Sequence, residues 1–287
     1  MDAAKMKRLA SIPEVITDIP SLPTVASRVL QLVANENASL RDLLGVISLD
    51  HSFASRLIRI ANSPYYTRDN RVGDVADAVI RIGFTTVRAL VFAASLRDMG
   101  LLSDWVDRTL WEHNTAVALG ATVIARETGL LPAGEPLIHG LLHDIGKVLI
   151  NRTLRDKYAE VIRTVREQRI PFIEAERALL GFDHSDVGEY AAERWNLPDS
   201  LSFVLANHHH ADLLSVKDAS MRKTALTVKA ADALCSTLGI GLSCPVDLSD
   251  GEWKALKLSS PRKRSGICAL IGEEFPSHRD FIMGQGN

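Results

Sequence analysis

The chain has 287 residues, 46% hydrophobic and 24% charged, as in a globular protein with a real core and room for one large domain or two small ones. Its 33 basic and 35 acidic residues leave a formal net charge of −2, which gives no general pull on nucleic acid, so a DNA- or RNA-binding role is not favoured. No apolar run reaches the ~18 residues of a membrane helix, Met1–Pro20 lacks the core and cleavage site of a secretory leader, and Cys235, Cys244 and Cys268 have neither metal-type nor disulfide-type spacing; a reduced, cytoplasmic setting away from membranes is expected.

Nearly every segment reads as helix. Pro23 opens a helix over Thr24–Ala34, and Ser39 caps the next, whose inner stripe is Leu40, Leu43, Leu44 and Ile47. A third runs from about Ser52 to Asn62 and stops at Pro64. Asp74 caps Val75–Ile82, which ends at Gly83, and Thr85 caps a longer helix to about Asp98. Gly100–Asp104 is the expected seam between two helical halves. A long helix over Trp105–Thr128 stops at Gly129, and Leu130–Pro136 reads as a loop. Apolar residues at helical spacing make Leu137–Ile150 one buried helix. Helices then cover Arg155–Gln168, Ile173–Leu180, Ser185–Trp195, Asp199–His208 and Ser220–Leu238. Ser249 and Glu252 form a capping box, and Ser260-Pro261 opens a last helix. No strand pattern, internal repeat or low-complexity stretch appears, so the expected fold class is all-α.

The chemistry concentrates in His143-Asp144-Ile145-Gly146-Lys147, inside that apolar helix. A histidine, an aspartate and a lysine are costly to bury there unless paired or bound to an ion. Neighbouring helical side chains diverge by about 100°, so His143 and Asp144 flank an ion rather than stack. Lys147 leans over the same region, three residues beyond Asp144, and Gly146 leaves room for a ligand. His113, mid-helix, and Asp232, in the small and apolar Val228–Leu234, stand in comparable settings. His184 opens one helix, and His208, His209 and His210 end another. Imidazole and carboxylate together suit Fe, Mn or Zn, one ion or two. In the two-ion form His113, His143, Asp144 and Asp232 hold one ion; His184 with His208 or His209 holds the second, and Asp144 bridges them. An ion so held lowers the pKa of bound water to about 7, and Lys147 steadies a phosphate oxygen.

Plainer readings stand beside these. Asp232 has Lys229 three residues back as a helical partner. The His208–His210 run has the position of a solvated helix end. His139, four residues before His143, lacks the glutamate of a helical zinc-protease motif and reads as a decoy. Tyr65-Tyr66 and Trp195 read as packing, and Arg262-Lys263-Arg264 as a solvated run.

Taken together, His113, His143-Asp144 and Asp232 resemble the pattern of the HD superfamily of metal-dependent phosphohydrolases. More closely, the chain resembles its HDOD branch of bacterial signalling proteins. The likeness rests on Leu22-Pro23-Thr24-Val25, Ile60-Ala61-Asn62-Ser63-Pro64-Tyr65-Tyr66, Ala78-Val79-Ile80-Arg81-Ile82-Gly83, Gly140–Lys147, and Trp195-Asn196-Leu197-Pro198 leading to His208-His209. It implies an all-helical fold laid out as a lead (1–19), an HDOD domain (20–212) with an N-terminal helical half (20–103) and the start of an HD-like half (104–212), and C-terminal helices completing that half plus a tail (213–287). It implies a regulatory role through a signalling protein partner or a small phosphorylated ligand. The 1–103 half is then a partner-binding or dimerising surface, with a homodimer among the expected assemblies. The alternative is a metal-dependent phosphohydrolase acting on a nucleotide or cyclic dinucleotide, with Asp144 and Lys147 as its catalytic pair. The Gly-Tyr-Pro motif of the cyclic di-GMP hydrolases is absent from His209–Leu214, which argues against that substrate.

Overall fold

Caps, glycines and apolar stripes set the architecture of the chain, whose computed structural model describes all residues except 1–2, 18, 35–38, 48–50, 63–65, 67–69, 98–103, 133–134, 243–245 and 284–287. The first half carries α1 (Ala3–Val15), α2 (Thr24–Ala34), α3 (Leu40–Ile47), α4 (His51–Ala61), α5 (Val75–Ile82) and α6 (Phe84–Arg97). The second carries α7 (Trp105–Thr128), α8 (Glu135–Leu142), α9 (Ile145–Thr153), α10 (Arg155–Gln168), α11 (Phe172–Leu180), α12 (His184–Arg194), α13 (Asp199–Asn207), α14 (Ala219–Thr237), α15 (Asp250–Ala255) and α16 (Pro261–Met283). Among the described residues there is no strand, and the fold is all-α. No helix among them is long and apolar enough to cross a membrane.

The caps expected at Asp74 and Ser249 are in place, and Asp104 adds one that the sequence reading did not include. Asp74 accepts the Asp77 amide, Asp104 accepts the Asp107 amide, and Ser249 with Glu252 closes a reciprocal capping box. Gly129 ends α7 in the left-handed conformation. The stops expected at Pro64 and Gly100, and the helix end at Asp98, lie outside the described residues.

α7 is the axis of the second half. It is buried almost all round, which its run of Ala, Val, Leu, Gly and Thr residues permits, and it packs against α8, α14 and α16. Small residues let these neighbours close in. A side chain on Gly140 of α8 would meet the Ala118 backbone of α7 at 2.8 Å, and one on Gly120 would meet Ile271 of α16 at 3.1 Å.

The structure differs from the sequence reading at several places. The lead residues 1–19 contain a helix, α1, anchored by Ile12 and Ile16 in the core; Pro13, inside it, hid the pattern. α6 begins at Phe84 rather than after a Thr85 cap, and α8 begins at Glu135, inside the expected loop. The single helix expected over Leu137–Ile150 is two, α8 and α9, broken at His143-Asp144. The Gly140 carbonyl, which serves residue 144 in a continuous helix, accepts the His143 Nδ1–H at 2.7 Å, and the chain restarts with a Lys147 amide to Asp144 carbonyl bond.

Candidate metal centre

The break turns His143 and Asp144 inward, and four other helices bring residues to meet them. Gly140 seats α8 on α7, so His143 comes to lie 5.4 Å, ring centre to ring centre, from His113. Gly146 seats α9 against α12, because a side chain there would overlap the His184 carbonyl; its space is filled by backbone rather than kept for a ligand. α13 ends at His208, whose ring lies 5.1 Å from that of His143 and 4.1 Å from that of His209. α14 supplies Asp232, whose Oδ1 is 3.2 Å from His113 Nε2.

Asp144 is the hub. Its Oδ1 faces His184 Nε2 at 3.1 Å and His208 Nε2 at 3.4 Å. Its Oδ2 faces His143 Nε2 at 3.3 Å, His113 Nε2 at 3.7 Å and Lys147 Nζ at 2.5 Å. His209 Nε2 lies 3.0 Å from His184 Nε2. The donor atoms thus fall into two sets, His113, His143 and Asp144 on one side and Asp144, His184, His208 and His209 on the other, joined at one carboxylate. Asp232 reaches the first set through His113. His210 is exposed and bonds the Asp212 amide, outside both sets.

The far ring nitrogens decide what this arrangement fits. His143 Nδ1 donates to the Gly140 carbonyl, His208 Nδ1 to the Val204 carbonyl at 3.0 Å, and His184 Nδ1 to the Glu176 carboxylate at 2.6 Å. In its neutral form each of these rings turns a bare Nε2 lone pair toward anionic Asp144. His143 Nε2, His208 Nε2 and Asp144 Oδ1 are buried without a hydrogen bond. Lone pairs facing a carboxylate repel unless a cation stands among them, and an outer Nδ1–H held by a carbonyl or carboxylate is the usual support of a metal-binding histidine. The residues present therefore fit a divalent ion. Absent one, His184 is drawn toward its charged form. Burial opposes the charged form of His184, yet Glu176 and Asp144 outweigh it and push the ring up to about 9. Burial pushes His208 and His209 down. Burial raises Asp144 too, but His143, Lys147 and His184 hold its carboxyl well below the usual range.

Glu176 is a site residue that the sequence reading missed. It is fully buried on α11, accepts the Tyr158 hydroxyl at 3.0 Å on Oε1, and receives both the backbone and ring N–H of His184 on Oε2. The signal was its spacing: Phe172, Ala175 and Glu176 are the buried positions of α11, so the carboxylate lies on the apolar face. Lys147 is 3% exposed, with Nζ on Asp144 and 4.4 Å from the Phe172 ring centre. Lys229 pairs with Glu252 at 2.7 Å and not with Asp232. His139 donates from Nδ1 to the Glu135 carbonyl, and its Nε2 meets the Ser200 hydroxyl, away from both sets. The Tyr66 ring lies tilted beside that of His278, centres 6.3 Å apart, and Trp195 is buried with its indole N–H on the Pro20 carbonyl; Tyr65 lies outside the described residues. The stretch after α14 closes the His113 side. Gly241 takes a φ of +72°, and a side chain on it would stand 2.7 Å from the His113 Cβ.

Among solved structures, the chain resembles an HDOD domain protein of unknown function from Geobacter sulfurreducens (26% identity, TM-score 0.78, covering 96% of this chain and 97% of that one). A protein assigned to signal transduction from Marinobacter aquaeolei shares the fold at 22% identity and TM-score 0.78, covering 98% of this chain and 66% of that one. A protein assigned as a metal-dependent phosphohydrolase from Shewanella amazonensis shares it at 19% identity and TM-score 0.63, covering 98% and 100%. An uncharacterized protein of Treponema pallidum is 26% identical over 205 residues, 71% of this chain, which spans 40% of that relative's length. The family model of the HDOD domain matches residues 19–211, well over half of the sequence, and the chain belongs to the HDOD family.

Proposed function

We propose that the protein is a regulatory HDOD module that signals through binding, to a protein partner or a small phosphorylated ligand, and keeps an HD-type metal centre. His113, His143, Asp144, His184, His208, His209 and Asp232 are the ligands, for one or two ions of Fe, Mn or Zn. The observation that carries the reading is the supported ligand set under near-complete burial. Three imidazoles have their outer nitrogens committed, and the side chains of His113, His143, Asp144, His184, His208 and Asp232 are no more than 7% exposed. A phosphoester needs an open approach to the ions, whereas an ion that orders the helices around it needs none.

The phosphohydrolase reading draws on a different observation, two ligand sets sharing one aspartate, an arrangement suited to clamping a phosphoryl group between two ions. A bound ion there would polarise a phosphoryl oxygen. In that reading Lys147, now on Asp144, turns to the substrate, and half-buried His209 marks the side of entry.

Elemental analysis of the purified protein beside a His143→Ala/Asp144→Ala variant tests the metal centre. One or two equivalents of Fe, Mn or Zn, lost in the variant, is the expected result; no metal in either protein after anaerobic reconstitution refutes it. Turnover of nucleotides or phosphodiesters at an ordinary enzymatic rate, abolished in the same variant, would replace the binding reading with the hydrolase.

A further inference from the structure

α12 begins with a metal-ligand candidate, so the accuracy of its first turn sets where His184 Nε2 points. That turn is held by a capping box. Asp183 Oδ1 accepts the Ser185 and Asp186 amides at 2.8 and 3.1 Å, and Asp186 Oδ2 accepts the Asp183 amide at 3.2 Å. Both carboxylates are 2% exposed or less, so each needs a cationic partner. Asp183 finds one nearby, with the Arg177 guanidinium of α11 at 2.6 Å. Asp186 finds its partner 178 residues away in sequence. Arg8 of α1 donates from Nε to Asp186 Oδ2 at 2.7 Å and from a terminal nitrogen to Oδ1 at 3.4 Å. A second pair, Lys5 to Glu189 at 2.7 Å, joins the same two helices one turn further along, without touching the box.

We propose that Arg8 is a positioning residue of the metal centre: by holding Asp186 in the capping box it fixes the first turn of α12 and with it His184, so that the docking of α1 sets the affinity of the second ligand set. The inference rests on the metal-centre reading above. Removing the guanidinium leaves a buried carboxylate without its cation. Asp186 relieves that by turning toward water, which opens the box from the Asp183 amide inward. A partner or adjoining segment that draws α1 away acts in the same way, and α1 becomes the path by which the N-terminal region addresses the ions.

Two readouts on the full chain test this, for Arg8→Met, the rescue variant Arg8→Lys, and Lys5→Met as a control for helix docking in general. The first is amide hydrogen exchange of residues 183–190 without metal. The second is Zn(II) affinity by chelator competition. Arg8→Met is expected to speed exchange of the Asp183, Ser185 and Asp186 amides and weaken Zn(II) binding about tenfold, the lower end of losses for residues that support metal ligands. Arg8→Lys should recover most of both, and Lys5→Met should match the wild type. Wild-type exchange and affinity in Arg8→Met would overturn the proposal, as would an equal loss in Lys5→Met. If the wild type binds no Zn(II), the metal-centre reading falls and exchange alone decides the link from Arg8 to His184. If Arg8→Met does not fold, Arg8→Gln is read in its place.

Discussion

Four buried imidazoles facing one carboxylate separate what the sequence shows of this site from what it hides. His113, His143, Asp144 and Asp232 stand out because each interrupts an apolar helix, where an unpartnered polar group is costly. Glu176 does not, because α11 also carries Glu174 and Arg177 on its solvent side and one more charge looks like part of a wet face. His139 shows how the same chemistry without the ion behaves. Both ring nitrogens are satisfied in the neutral form, and burial pushes its pKa down to about 4. A folded pKa below the unfolded value of about 6.5 makes the unfolded chain bind the proton more readily, so stability is full above pH ~6.5 and falls as the pH drops toward 4. The difference amounts to about 3 kcal/mol. His139→Gln should show less loss of urea resistance between pH 7 and pH 4.5 than the wild type, measured on the metal-free proteins. Parallel losses in both would mean that His139 titrates normally.

At the scale of elements, caps and amphipathic stripes were legible and close approaches were not. The breadth of α7 burial and the start of α16 at Pro261 follow from composition and punctuation. The break between α8 and α9 does not, since the run from Leu137 to Ile150 keeps helical spacing straight through it; a ring N–H competing for the Gly140 carbonyl decides the outcome. Gly146 likewise had the look of room for a ligand and is instead the contact that lets α9 and α12 meet. Gly146→Ala should therefore destabilise by about 1–3 kcal/mol or more, as overpacking against backbone does. Gly266→Ala is the internal contrast. It lies on the exposed side of α16 with nothing within 4 Å of a new Cβ, and should stabilise by roughly 0.5–1 kcal/mol. Denaturant midpoints of the two variants should move in opposite directions; a neutral Gly146→Ala would mean that α9 and α12 separate freely.

At the scale of the molecule, residues far apart in the chain converge on the candidate metal centre. His113 comes from α7 and Asp232 from α14, beyond the matched family region, while α1 reaches α12 from the other end. An ion bound by groups so dispersed binds the folded chain and not the unfolded one. Free ion at a hundred times its dissociation constant should add about 2.7 kcal/mol of stability. That raises the unfolding midpoint by roughly 4–5 °C for a chain of this size. Thermal scans with Mn(II) or Zn(II) should show this rise in the wild type and none in His143→Ala/Asp144→Ala, each compared with its own metal-free form. An equal rise in both would place the binding elsewhere.

The division of Asp144 between two ligand sets has a further consequence. One oxygen faces His184 and His208 and the other faces His113 and His143, so the orientation and charge of a single side chain enter both equilibria. If both sets take an ion, loading of the first would change the affinity of the second, and by reciprocity the second would change the first by the same factor. A metal titration would then yield two apparent constants that belong to the pair and to neither position alone. A half-loaded form would then be a third state between empty and full.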